Sequence, residues 1–139
     1  VIDLYSRQIV GWSMADHMKS SLVNAALLMA IWQGKPSNGL IWHTDRGSQY
    51  CSESHRDILK NHGIIQSMSR KGNCWDNAVS ESFFHTLKTE LTHHYNFQNQ
   101  EEAKNIIFKY IEVFYNRIRT HSANNYLAPV PFERIQKKI

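Results

Sequence analysis

The stretch Leu40-Ile41-Trp42-His43-Thr44-Asp45-Arg46-Gly47-Ser48-Gln49-Tyr50 decides how the chain is read. A short apolar run ends in a carboxylate and a glycine turn, the pattern of a buried strand followed by a loop. In α/β proteins chemistry sits at such carboxyl ends of strands, on loops held by a rigid sheet. A second stretch, Asn77-Ala78-Val79-Ser80-Glu81-Ser82-Phe83-Phe84, lies inside a helical pattern that would hold Glu81 on a rigid rod. With 35 residues between Asp45 and Glu81, one carboxylate at a strand end and one on a following helix could share a divalent metal pair.

Working outward from Asp45, Ser52 or Ser54 can cap a helix to about His62, stopped by Gly63, and Ile64–Met68 reads as the next strand. Strands separated by a helix of this length suggest a parallel pair joined by a crossover. Upstream, Val1–Leu4 and Gln8–Met14 are β-favouring runs around Tyr5-Ser6-Arg7, consistent with a hairpin, so the sheet is expected to be mixed. Between them and Leu40, the apolar residues Leu22, Val23, Ala26, Leu27, Ala30 and Ile31 recur at helical spacing. That helix is expected to be capped by Ser20 or Ser21 and to end at Gly34.

Ser69–Asp76 is a polar stretch standing directly before the helix expected over about 77–92. On that helix, at about 100° per residue, Glu81, His85 and Lys88 fall within an arc roughly 60° wide. Val79, Phe83 and Leu87 fall on the opposite side and would anchor it. Asn99 can cap a long helix to about Arg119, after which Tyr126–Phe132 reads as a proline-bounded extended tail. Trp42 and Trp75 read as packing residues.

At 139 residues, 42% hydrophobic and 20% charged, the chain is expected to be one globular domain with its own core. A net charge of +4 favours a polyanionic partner. Cys51 and Cys74 fit no Cys-x-x-Cys pattern, and Cys51, His55 and His62 lack a fourth ligand for zinc. There is no signal peptide and no apolar run of membrane length, so a cytoplasmic protein that engages no membrane and no small-molecule substrate is expected.

HTDRGSQY (43–50) and NAVSESFFHTLKTEL (77–91), together with the opening VIDLYSRQIVGW and the late YNRIRTHSANNYLAPVPFE, resemble a known family over essentially the whole chain. The family is that of insertion-sequence transposases made by frameshifting between two overlapping reading frames, relatives of retroviral integrases. The resemblance implies a ribonuclease-H-like α/β fold, with residues 1–139 as the catalytic core and a C-terminal helix and tail at about 98–139. It also implies an Asp, Asp, Glu triad holding two Mg²⁺ or Mn²⁺ ions. One Asp bridges both ions, the second holds one and the Glu holds the other; Asp45 and Glu81 match the last two. The first Asp belongs to a first strand upstream of VIDLYSR, so strand and bridging carboxylate are both expected to be missing, and a partner chain, a swapped element or local disorder to fill the slot. Asp3, near the hairpin, reads as a carboxylate bonding turn amides. DNA, as element ends and target, is the implied partner of a homo-oligomer, with contacts from Arg70, Lys71, His85 and Lys88; Arg46, which can bind phosphate or brace the turn, and Asn77, one helical turn before Glu81, are further candidates for DNA contact. The competing readings are a non-catalytic DNA-binding or dimerisation module on the same fold and, with less support from the spacing, a nuclease of the ribonuclease H type.

Overall fold

A computed structural model describes residues 1–70 and 77–138. The chain divides into two compact units, Val1 with Val10–Glu81, and Ile2–Ile9 with Ser82–Ile139. In the first, the apolar period from Leu22 produces α1 (Ser20–Gly34). Neither serine caps it: the helix begins at Ser20 itself, and the cap position falls on Lys19, which makes no side-chain bond there. Gly34 remains helical, and the left-handed residue is Lys35, at φ 43°, with its N–H reaching Ile31 O. β1 (Ile41–Thr44) follows, then α2 (Glu53–Asn61), capped by Ser52 Oγ accepting the His55 N–H at 3.3 Å. Gly63, at φ +65°, turns the chain toward β2 (Ile65–Met68). β1 and β2 pair in parallel, from Ile41 opposite Ile65 to Thr44 opposite Met68, as the crossover requires. Leu27, Leu59 and Ile64 form the core, with Ile31, Trp42 and Ile58 packed against it. A Cβ on Gly11 would lie 2.2 Å from Ala26 O, so only glycine lets that segment approach α1 so closely.

The expected mixed sheet is not found. Among the described residues the sheet consists of β1 and β2, and the hairpin reduces to an isolated antiparallel bridge between Ile2 and Ile9. Asn116, in the second unit with Ile9, gives the reason. Its Oδ1 accepts the Ile9 N–H at 2.9 Å and its Nδ2 donates to Ile9 O at 3.0 Å. One side-chain amide thus takes the place of a neighbouring strand. Asp3 plays the turn role expected of it, its Oδ1 accepting the N–H groups of Tyr5 and Ser6 at 2.9 and 2.7 Å.

The division between the units falls within α3 (Ala78–Glu90), after Glu81. Phe83 and Leu87 are buried, as the apolar side of that helix demands. α4 (Gln100–Lys109) is capped by Asn99, whose Oδ1 accepts the Glu102 N–H at 2.8 Å. The unbroken α-helix expected to about Arg119 gives way to a π-helical segment, Tyr110–Tyr115. The Asn116 N–H reaches back to Ile111 O at 3.0 Å, and the wider turn lets Tyr110, Ile111, Tyr115 and Asn116 all be buried. The expected extended tail is helical from Pro129, as α5 (Pro129–Lys137). Pro129 and Pro131 stand in its first turn, where an N–H has no intrahelical acceptor to lose.

Candidate active site at the ends of the parallel strands

β1 ends at buried Thr44, whose hydroxyl donates to Asp45 O at 2.8 Å. Asp45 is exposed, and its Oδ1 accepts the Gly47 N–H at 2.7 Å. A Cβ on Gly47 would lie 3.0 Å from that oxygen and 2.5 Å from Gln49 Oε1, so a larger residue there would crowd the carboxylate and displace the Gln49 side chain. Asp45 Oδ2 makes no hydrogen bond among the described residues. The carboxylate is felt nearby: burial first, and then the Asp45 charge, push the Tyr50 phenol up.

β2 ends beside it, and the next residue is Ser69, only 3% exposed. Its N–H and hydroxyl both donate to Thr44 O, at 2.8 and 3.3 Å. Its carbonyl accepts from Arg46 Nε at 2.9 Å, and its hydroxyl accepts from Asn77 Nδ2 at 3.1 Å. Arg46, read from sequence as a phosphate contact or a brace of the turn, makes the brace here. Ser69 was not singled out from sequence, because a lone serine after a strand carries no signal of four converging bonds.

Glu81 lies in the first turn of α3, four residues after Asn77, and is exposed. Its carboxylate makes no hydrogen bond or ion pair among the described residues, unlike Glu90, paired with Arg119, and Glu133, paired with Lys137. His85 and Lys88, in the second unit, are exposed as the outward stripe predicts. Arg70 is exposed beside Ser69. Lys71, Cys74 and Trp75 lie outside the described residues, as does most of the polar loop.

His55 is fully buried. Trp42 Nε1 donates to its Nε2 at 3.1 Å, and its Nδ1 lies 2.8 Å from Asn24 Oδ1. Trp42 is thus a packing residue with its indole N–H satisfied. No group of three or more His, Cys, Asp or Glu side chains poised for a metal occurs among the described residues. Asp45 Oδ2 and the Glu81 carboxylate are hard oxygen donors with no competing cationic side chain among the described residues, the donor type that Mg²⁺ and Mn²⁺ take.

Residues 1–74 match a family model described as integrase core domain, and residues 81–136 match a second model of the same description. The transposase for insertion sequence element IS904 of Lactococcus lactis is 49% identical over 133 residues, covering 96% of this chain and 53% of that protein. Transposase InsF for insertion sequence IS3A of Escherichia coli is also 49% identical over 133 residues, covering 96% of this chain and 46% of its own length. An uncharacterized 31 kDa protein of insertion element IS600 from Shigella sonnei is 48% identical over 130 residues, 94% of this chain and 48% of that protein. The chain spans about half the length of these curated relatives. Among the described residues no helix is long and apolar enough to cross a membrane.

Proposed function

The chain belongs to the integrase core family, and from that premise we propose that residues 1–139 are the DNA-cutting and DNA-joining core of an insertion-sequence transposase. The observation that supports this most is the pair of exposed carboxylates in one compact unit, Asp45 just past β1 and Glu81 in the first turn of α3, neither engaged by a cationic side chain among the described residues. In this reading the fold is ribonuclease-H-like, with the parallel pair β1 and β2 and the crossover α2 as its nucleus. Asp45 and Glu81 would hold Mg²⁺ or Mn²⁺, which when bound would supply Lewis-acid activation of the attacking oxygen and neutralise charge on the leaving one. The Gly47 N–H orients the Asp45 carboxylate and leaves Oδ2 available. Arg46, Arg70, Lys71, Asn77, His85 and Lys88 contact the phosphates of element ends and target, which position DNA without reading its sequence. The working assembly is a homo-oligomer on DNA in the cytoplasm.

Two carboxylates do not complete the triad that the family resemblance implies, so residues 1–139 alone are expected to be inactive. The test is Mg²⁺- or Mn²⁺-dependent nicking and strand joining on DNA carrying the element's ends. It compares this chain with one extended upstream through a strand bearing the third carboxylate. Activity is expected only in the extended chain, with Asp45→Asn or Glu81→Gln lowering it on the order of 10²-fold or more. If neither chain cuts DNA while both fold and bind it, a non-catalytic DNA-binding or dimerisation module is the better account.

A further inference from the structure

We propose that Ser69 is a positioning residue, which holds the first turn of α3, and with it Glu81, in register with the Asp45 turn. The proposal rests on the reading of Asp45 and Glu81 as a metal-holding pair and says what keeps them together. A serine hydroxyl has one hydrogen and two lone pairs. Here the hydrogen points to Thr44 O at 3.3 Å, which leaves a lone pair for the Asn77 Nδ2 hydrogen at 3.1 Å. Thr44 O also accepts the Ser69 N–H at 2.8 Å, so both of its lone pairs are used. Arg46 Nε closes the arrangement on Ser69 O. The end of β1, the acidic turn and the start of α3 therefore meet on one residue that is 3% exposed, where water competes weakly for these bonds.

Asn77 stands four residues before Glu81, about one helical turn. A shift at the start of α3 is thus carried to the carboxylate, and metal ligation tolerates only about 0.2 Å in ligand distance. Alanine at position 69 would keep the backbone bonds and lose the tie to Asn77. A serine that merely ends β2 would bond Thr44 and leave Asn77 to solvent.

The experiment uses the ¹⁵N-labelled chain of residues 1–139 with Ser69→Ala, Asn77→Ala and the double variant. Either single change is expected to lower the amide order parameters of Ala78–Glu81 from about 0.85 toward 0.6 while Ile41–Thr44 stay rigid. The double variant should loosen α3 no more than either single one, since both remove the same Ser69–Asn77 bond. Ser67→Ala, which deletes the hydroxyl 3.0 Å from His43 Nδ1 within the sheet, should leave α3 unchanged. If Ser69→Ala fails to fold, Asn77→Ala removes the same bond from its partly exposed side. Unchanged order at Ala78–Glu81 in the folded variants overturns the proposal. Added Mn²⁺ then separates the two readings. It should broaden the Gly47 and Glu81 amides together in the unsubstituted chain, at a concentration that rises in Ser69→Ala, and broaden neither in Asp45→Asn. If Mn²⁺ broadens neither amide in the unsubstituted chain nor in one extended upstream through the third carboxylate, the metal-holding pair is rejected, and the order parameters still decide whether Ser69 anchors α3.

Discussion

Glu81 and Glu90 stand in different compact units, though both belong to α3, and they are used in opposite ways. Glu81 has no partner among the described residues. Glu90 accepts Arg119 Nε on both oxygens, at 2.9 and 3.0 Å, and its Oε2 also accepts the Tyr110 hydroxyl. Burial, and then the bond to Glu90, push the Tyr110 phenol up, while the Arg119 guanidinium lies 5.9 Å from the centre of the Tyr115 ring. The second unit turns its polar side chains inward: Asn116 serves Ile9, and Asn124 donates to Ser6 O at 2.7 Å. A carboxylate whose lone pairs are filled holds a fold, whereas one left unfilled at the surface is available to a ligand.

Asn116→Ala should break the second unit most severely. It strands the N–H and C=O of Ile9, a residue 3% exposed. The loss should be about 2–6 kcal/mol in denaturant unfolding, the sum for two buried backbone groups left unpaired. A cost under about 1 kcal/mol would mean that Ile9 finds another partner and that the amide is not standing in for a strand.

The comparison sharpens on Glu90→Gln against Glu81→Gln. Losing the charge that joins Arg119 and Tyr110 should cost about 1–2 kcal/mol, discounted because both ion-pair partners are partly exposed. Glu81→Gln should change thermal stability by no more than about 0.5 kcal/mol. Equal costs would show that Glu81 has a structural partner, and the contrast between the two glutamates would fail.

What could be read from sequence was local. The strand ending at Asp45, the crossover α2, the Asp3 turn and the sides of α3 follow from turn chemistry and apolar period within a few residues. What could not be read depended on distant partners. Ile9 behaves as an edge without a strand because Asn116, 107 residues away, supplies both its bonds. The π-helical segment that buries Asn116 breaks a periodicity that otherwise reads as one helix. Ser69 acquires its place only when Thr44, Arg46 and Asn77 converge on it. α5 was hidden because prolines suggest an extended chain unless the helix start is known to fall on one of them.

The smallest expected effect is a loss of stability in mild acid, with one contributor in each unit. His55 Nε2 accepts from Trp42 Nε1, which can only donate, so the ring is neutral and its proton sits on Nδ1 facing Asn24 Oδ1. Protonation would set two N–H groups against each other, and burial pushes the His55 pKa down. His121 is pushed down too, by burial first and then by Arg119 and Arg7, with Glu90 opposing. An unfolded histidine titrates near pH 6.5. Both groups are therefore neutral and fully stabilising above that value. As pH falls below it the unfolded chain takes up protons that the folded chain refuses, at a cost of at most about 1.4 kcal/mol per pH unit for each ring. Imidazole C–H resonances should titrate with midpoints below about 6.5 for both. Glu90→Gln removes the influence opposing the His121 shift, so it should move the His121 midpoint lower still and leave His55 where it was. A His55 midpoint at or above the unfolded value would mean that the Trp42 bond is not kept, and the first unit would then lose the neutral histidine that packs beneath its parallel strands.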